Sequence, residues 1–327
     1  MGEAVFTTSM VGYQETLTDS AFYGKLVAQT FPLIGNYGVN EEDDEAPCTY
    51  PPGYIIREWC EVPSNFRSEG TIDEYLKRHG IVGIYDIDTR KLTRILREEG
   101  EMNGVITTEP FDREELLRRL AGFRPEHAVG EVSTREPRHF ENEQGTKRVA
   151  VLDFGVHRSM IEALLRQGCS VDVLPCTTGA DTLAEYDGVF LPDGPESEAP
   201  DAAVVDTVRA LCEKRVPVAG VGLGHLILAL ANGGTIRRMK YGHRGGNQPV
   251  IDQEAGQTRV TGQNHGCVVD RIDDAAAQVS FYNANDKTCE GLRYREIPAI
   301  SVQFMPEDSF YQEWMQRIER EGKPSCH

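Results

Sequence analysis

Val216-Pro217-Val218-Ala219-Gly220-Val221-Gly222-Leu223-Gly224-His225-Leu226-Ile227-Leu228-Ala229-Leu230-Ala231 decides how the rest of the chain is read. An apolar, β-favouring run enters a Gly-x-Gly-x-Gly turn and leaves it directly in a helical pattern, the signature of strand, sharp turn and helix. This is the backbone grammar of a nucleophile elbow. There the central residue sits on a strained turn at the top of an α/β sheet, and flanking glycines keep side chains clear of strand and helix. The central residue here is Gly222. Glycine carries no attacking atom, so the architecture of covalent catalysis is present without its nucleophile.

Outward from the elbow, strand and helix patterns alternate. Strands are predicted at Arg148–Gly155, Ser170–Leu174, Gly188–Leu191 and Val216–Gly220, with helices at Arg158–Gln167 and Asp201–Lys214. Such alternation means a largely parallel sheet covered by helices, with its site at the carboxyl ends of the strands. Further strands are predicted at Thr258–Val269 and Ala299–Gln303, and a last helix at about Ser309–Glu319.

The first part of the chain is mixed α/β. Ala4–Thr8 reads as a strand that starts abruptly and needs a partner from elsewhere, and Lys25–Phe31 reads as another. Thr71 three residues before Glu74 predicts a capped helix. Further helices are predicted at Asp88–Arg97, with Gly100 near the C-terminal end, and at Glu114–Leu120. Glu41–Glu45 is an acidic run, read as a solvated loop because consecutive carboxylates do not converge on one point. From Arg135 to Lys147 periodicity is lost. The predicted organisation is a first domain at 1–137, a linker at 138–147 and a second domain at 148–327.

Length and composition bound the functions available. The 327 residues suffice for two ordinary domains, and 39% hydrophobic with 26% charged residues are globular proportions. A net charge of -18 argues against nucleic acid as a partner. No apolar run approaches a membrane span, and no signal-peptide pattern opens the chain, which points to a cytoplasmic protein with no membrane partner. The eight cysteines, Cys48, Cys60, Cys169, Cys176, Cys212, Cys267, Cys289 and Cys326, form no Cys-x-x-Cys pair and no cluster at metal spacing. They are expected to be reduced thiols, and no metal site is expected.

Four stretches of the second half carry a specific resemblance: the elbow, Met239–Pro249, Gln263-Asn264-His265-Gly266 and Ser301-Val302-Gln303-Phe304. Three more lie in the first half, at Gly12–Asp19, Phe31–Asn40 and Gly83–Arg94. Together they are similar to the carbamoyl-phosphate synthetase small subunit, whose second domain is a class I glutamine amidotransferase. The likeness covers nearly the whole chain. It implies a Cys at the elbow that attacks the glutamine amide, a His that activates it, a Glu two residues later that orients the His, and ammonia passed to a large ATP-dependent subunit.

Laid on this sequence, that machinery is mostly missing. Gly222 stands at the nucleophile, Met305 at the base, and only Glu307, the orienting acid, remains. The resemblance implies a Gly-Pro-Gly segment that supplies oxyanion donors and substrate contacts; here Gly194-Pro195-Glu196 keeps the first Gly and places an anion at the second. Leu226 replaces a Gln, Ala21 a Ser and Cys267 an aromatic residue, while Leu223, Asn264 and Gly266 match. His243, Arg244 and Asn247 are expected in a surface or subunit-contact tract, and His225 as a structural helix-start histidine. Two functions are then open. The chain is a non-hydrolysing scaffold or regulatory subunit on a large chain that uses free ammonia, ATP and bicarbonate, itself binding no cofactor. Alternatively it is a stand-alone pseudoenzyme binding another molecule, or has altered chemistry through Cys267. The resemblance also implies about two more strands ahead of the segment resembling residues 3 to 15; either the start is trimmed, or the first domain's sheet has an open edge that a partner covers.

Overall fold

The computed structural model describes residues 1–125 and 127–321. Cys326 lies outside them. By contact density the chain divides into two compact units. One comprises Met1–Ala128 with Lys240–Asn247, the other Val129–Met239 with the residues from Gln248 on.

The first unit is built on a five-stranded sheet in the order Val82–Ile84, Gly53–Ile55, Lys25–Gln29, Gly2–Thr7, Met102–Gly104. The first four run parallel, and the last is antiparallel to Gly2–Thr7. The expected open edge at the opening strand is therefore corrected. Gly2–Thr7 is an inner strand, with Val5 facing Val27 on one side and Ala4 facing Met102 on the other. The sequence gives no sign of this, because Met102–Gly104 is only three residues long and has no alternation to read. One face of the sheet packs Val5, Val27 and Tyr54 against Tyr13, Leu17, Ile72 and Tyr75. The other packs Phe6, Leu26 and Ile55 under Leu96, from the helix Thr89–Glu99, which Asp88 caps and Gly100 ends. Thr71 and Glu74 form the predicted reciprocal capping box at the helix Ile72–Arg78. The acidic run forms a short 3-10 turn at Glu41–Asp43, where Arg67 pairs with Glu42 and Asp43.

The tract around His243 departs from its expected surface position. It lies in a long strand, Thr235–Asp252, in which His243 is 8% and Arg244 3% exposed, while Asn247 is exposed. Arg244 forms an ion pair with Glu101, both side chains being buried. Gly242 N–H donates to the same carboxylate at 3.1 Å, and the Arg244 carbonyl accepts from Thr8 N–H at 3.1 Å. The charge that marks Arg244 as a surface residue in the sequence is neutralised by a residue more than a hundred positions away, which no local pattern shows.

The second unit is a mixed sheet whose middle is parallel in the order Ala299–Val302, Val218–Val221, Gly188–Leu191, Lys147–Asp153, Cys169–Pro175. Val- and Ala-rich strands form it because both faces are covered. Val151, Phe190, Ala219 and Ile300 face Trp314 and Ile318 of the last helix, Asp308–Glu321. Leu152, Val189, Leu191 and Val218 face the helices Ala202–Glu213 and Leu223–Ala231. The stretch 138–147, expected as a linker, instead contributes a strand, Arg138–Phe140, that pairs antiparallel with Cys169–Pro175. It is too short and too polar to register as one in sequence.

Candidate functional site

The predicted elbow forms as strand Val218–Val221, a turn at Gly222 and helix Leu223–Ala231. Gly222 has φ 53° and ψ -113°, a conformation that costs an L-residue about 1–3 kcal/mol and glycine very little. Its N–H donates to the Val302 carbonyl at 3.0 Å, and its own carbonyl starts the helix by accepting from Leu226 N–H at 3.2 Å. The other two glycines are set by close approach. A Cβ on Gly224 would stand 2.1 Å from the Leu191 carbonyl oxygen, and one on Gly220 2.7 Å from that of Gly224. The helix can lie against the sheet only because neither side chain exists. Leu226, Ile227 and Leu228 are buried in return, each stabilising the unit by roughly 1.5–3 kcal/mol.

The space above Gly222 is filled by Asp193. A Cβ built on Gly222 would lie 2.0 Å from Asp193 Oδ1 and 2.1 Å from its Cγ. That oxygen accepts from Gly194 N–H at 2.8 Å and from Leu223 N–H at 2.9 Å. The amide after the central elbow residue is an oxyanion donor in such architectures. A carboxylate of the chain thus lies on the Leu223 amide, at that donor position, and on the Gly194 amide beside it. Gly194 is held to glycine by the Phe154 carbonyl oxygen, 2.2 Å from where its Cβ would be. Sequence reasoning missed Asp193. The available signal was an acid directly after the apolar strand Gly188–Leu191 and Pro192, at the carboxyl end where parallel sheets place their sites.

Glu196 follows three residues after Asp193. Its Oε2 accepts from Gly266 N–H at 2.5 Å and Cys267 N–H at 2.9 Å, and its Oε1 from Gln303 Nε2 at 3.3 Å. Glu196, Gly266 and Cys267, three positions singled out in the sequence, are thus brought together. Below them, His265 Nδ1 lies 3.0 Å from the Cys267 carbonyl and Nε2 3.0 Å from Gln263 Oε1, while Gln263 Nε2 donates to Glu290. Cys267 is 4% exposed and packs in the apolar cluster with Leu226 and Val269. Asn264 lies beside these residues in the strand Gln257–Arg271. His225 is fully buried beneath the elbow, with Nδ1 2.7 Å from Ser301 Oγ and Nε2 without a hydrogen-bond partner. Burial lowers its pKa to about 3, so its ring is neutral at physiological pH.

Met305 and Glu307 face elsewhere. Met305 N–H donates to the Gly262 carbonyl at 2.9 Å, and the side chain is half-buried against the cluster around Trp314. The Glu307 side chain is 68% exposed, with Arg259 at 3.4 Å. Both border a hollow of about 580 Å³ with Phe281, Phe310 and Arg293. Ala21 belongs to the first unit, buried in the 3-10 turn Ser20–Phe22. Of the cysteine thiols, burial raises Cys169 and Cys289 to about 12 and Cys212 to about 11, which keeps them protonated and unreactive.

The parallel sheet, the elbow and the amides around it define a class I glutamine amidotransferase domain. A model of that family, described as glutamine amidotransferase class-I, matches residues 150–321, and one described as carbamoyl-phosphate synthase small chain, CPSase domain, matches residues 1–106. Relatives agree over most of the chain. The carbamoyl phosphate synthase small chain of Syntrophotalea carbinolica is 43% identical over 327 residues, covering 94% of this chain and 87% of the relative. That of Listeria monocytogenes serotype 4b is 42% identical, covering 94% and 85%. The carbamoyl phosphate synthase pyrimidine-specific small chain of Bacillus subtilis is 38% identical, covering 100% and 93%. The chain belongs to the carbamoyl phosphate synthase small chain family. Among the described residues no helix is long and apolar enough to cross a membrane.

Proposed function

We propose that this small-chain family member hydrolyses no glutamine and acts as a scaffold or regulatory subunit for a large carbamoyl-phosphate synthetase chain that uses free ammonia. The observation that carries the reading is Gly222 with Asp193 in the space above it. Losing one member of a catalytic triad can leave a rate over water on the order of 10³-fold, because the oxyanion hole and binding remain. Here nucleophile and base are both replaced, at Gly222 and Met305, and the residual contribution is opposed as well. An oxyanion developing on a bound amide would have to displace Asp193 from Gly194 N–H and Leu223 N–H. Cys267 is a poor substitute, since its side chain packs in the core beneath the elbow helix. In this role the chain binds no cofactor of its own, ATP and bicarbonate being used by the large subunit in the cytoplasm.

A second reading, a stand-alone pseudoenzyme, is favoured by the altered side chains of the pocket, above all Glu196 and Cys267. One experiment separates the two. Carbamoyl phosphate is measured with this chain mixed with the large subunit from the same organism, supplied with ATP, bicarbonate and either glutamine or ammonium. Ammonium-supported synthesis raised by this chain, with none from glutamine, is the expected result. Glutamine-supported synthesis that survives removal of free ammonia would overturn the proposal, and a large subunit indifferent to the chain would leave the stand-alone reading.

A further inference from the structure

Gly266 and Cys267 are consecutive residues of one strand, yet both their N–H groups point at the same oxygen, Glu196 Oε2, at 2.5 and 2.9 Å. In a regular strand successive N–H groups alternate in direction. Two that converge make a concave anion site of the kind successive backbone amides form. Gln303 Nε2, on a side chain only 1% exposed, adds a third donor to the other carboxylate oxygen at 3.3 Å. Three donors around one carboxylate are a set that any small carboxylate would satisfy equally well. Their occupant comes from an irregular segment between the strand Gly188–Leu191 and the helix Ala202–Glu213. Gly194 fixes the near end of that segment against the Phe154 carbonyl, and Ser197, Glu198 and Ala199 beyond Glu196 are exposed.

We propose that Glu196 is a tethered occupant of a small-carboxylate site formed by Gly266 N–H, Cys267 N–H and Gln303 Nε2, and that it closes this site to free carboxylates while it is docked. The inference rests on the reading that this pocket hydrolyses no glutamine, and it adds what the pocket holds instead. A tethered group acts at an effective concentration on the order of millimolar. A free carboxylate therefore binds with an apparent affinity reduced by the fraction of time the site is open. Removing the Glu196 carboxylate removes the competitor and leaves the donors.

The test follows the Gly266 and Cys267 amide signals of the ¹⁵N-labelled full chain during titration with sodium acetate, against sodium chloride at equal ionic strength. In Glu196→Ala the two signals are expected to shift saturably with acetate, at an apparent affinity at least about tenfold tighter than in the unaltered chain. Glu196→Gln, which keeps an acceptor oxygen but not the charge, is expected to lie between them and provides the comparison if the alanine variant does not fold. No saturable shift in a folded variant, or acetate binding as tight in the unaltered chain as in the variants, would overturn the proposal. The measurement needs no large subunit. Failure here with ammonium-supported synthesis intact removes the tethered occupant alone, whereas glutamine hydrolysis by the unaltered chain removes the scaffold reading.

Discussion

Each unit of this chain buries carboxylates, and the two do so differently. In the first unit Glu101 is neutralised by Arg244, with both side chains 2% exposed. In the second, Asp193 and Glu196 lie on backbone amides at the carboxyl ends of the parallel strands. A buried ion pair fixes two side chains to each other, and removing either one strands a charge in a medium that solvates it poorly. Amides are different. They belong to the backbone, persist whatever the side chain does, and donate to any acceptor of suitable shape, whether water, a ligand or the chain's own carboxylate. The first arrangement ties side chain to side chain, and the second ties side chain to backbone.

The largest expected effect tests the structural side of this contrast. Arg244→Met should destabilise the first unit by about 3–5 kcal/mol, because Glu101 is left buried without its partner. Changing Glu101 to Leu in the same chain should restore most of that loss, as read from urea unfolding. If Arg244→Met costs no more than an ordinary surface change, the pair is not what holds the Lys240–Asn247 segment. Gly222→Cys comes next, at about 1–3 kcal/mol from a side chain forced into φ 53°. It also brings that side chain into contact with Asp193. Combining it with Asp193→Ala should therefore cost less than the sum of the two changes, a coupling visible in a double-mutant cycle. Strict additivity would mean that Asp193 does not fill the nucleophile space.

Asp193→Ala alone should cost about 1–2 kcal/mol, since Gly194 and Leu223 N–H lose their carboxylate acceptor. Asp193→Asn, which keeps an acceptor oxygen, should cost less. A loss for Asp193→Ala as large as that for Arg244→Met would erase the distinction between the two regions. The smallest effect at neutral pH is that of His225. Burial holds its folded-state pKa near 3, against 6.5 in the unfolded chain. Between those values the unfolded state binds the extra proton, so stability falls as pH drops from 6.5 towards 3, by up to about 1.4 kcal/mol per pH unit, and is unaffected above 6.5. Unfolding free energy followed against pH in the unaltered chain and in His225→Leu should show this slope only in the former.

How legible these features were in sequence depends on how local their causes are. The elbow was readable because its Gly-x-Gly-x-Gly pattern stands between an apolar strand and an apolar helix in one continuous stretch, inside which Gly220 is held to glycine by the Gly224 carbonyl. The capping box at Thr71 was readable because both partners lie within four residues. The strand Thr235–Asp252 was not. Its charged and glycine-rich sequence lacks alternation, and its hydrogen bonds go to partners remote in the chain, among them Glu101, Thr8 and the strand Ala277–Asn283. Gly222, Met305 and Glu196 were legible as departures from the resemblance, but the contacts that Asp193 and Glu196 make were not.

Composition, the alternation of strand and helix, and the glycines of the elbow by themselves determined an α/β protein with a nucleophile-elbow turn whose central residue, Gly222, carries no attacking atom. Those properties depend on residue identity and on contacts a few positions apart. Only the tertiary structure decided that Asp193 lies over Gly222, that Glu196 rests on the amides of Gly266 and Cys267, and that Arg244 is buried against Glu101. Each of these joins residues about 30 to 140 positions apart, and such pairings are set by how strands and loops are brought together in space, a step that no local pattern encodes.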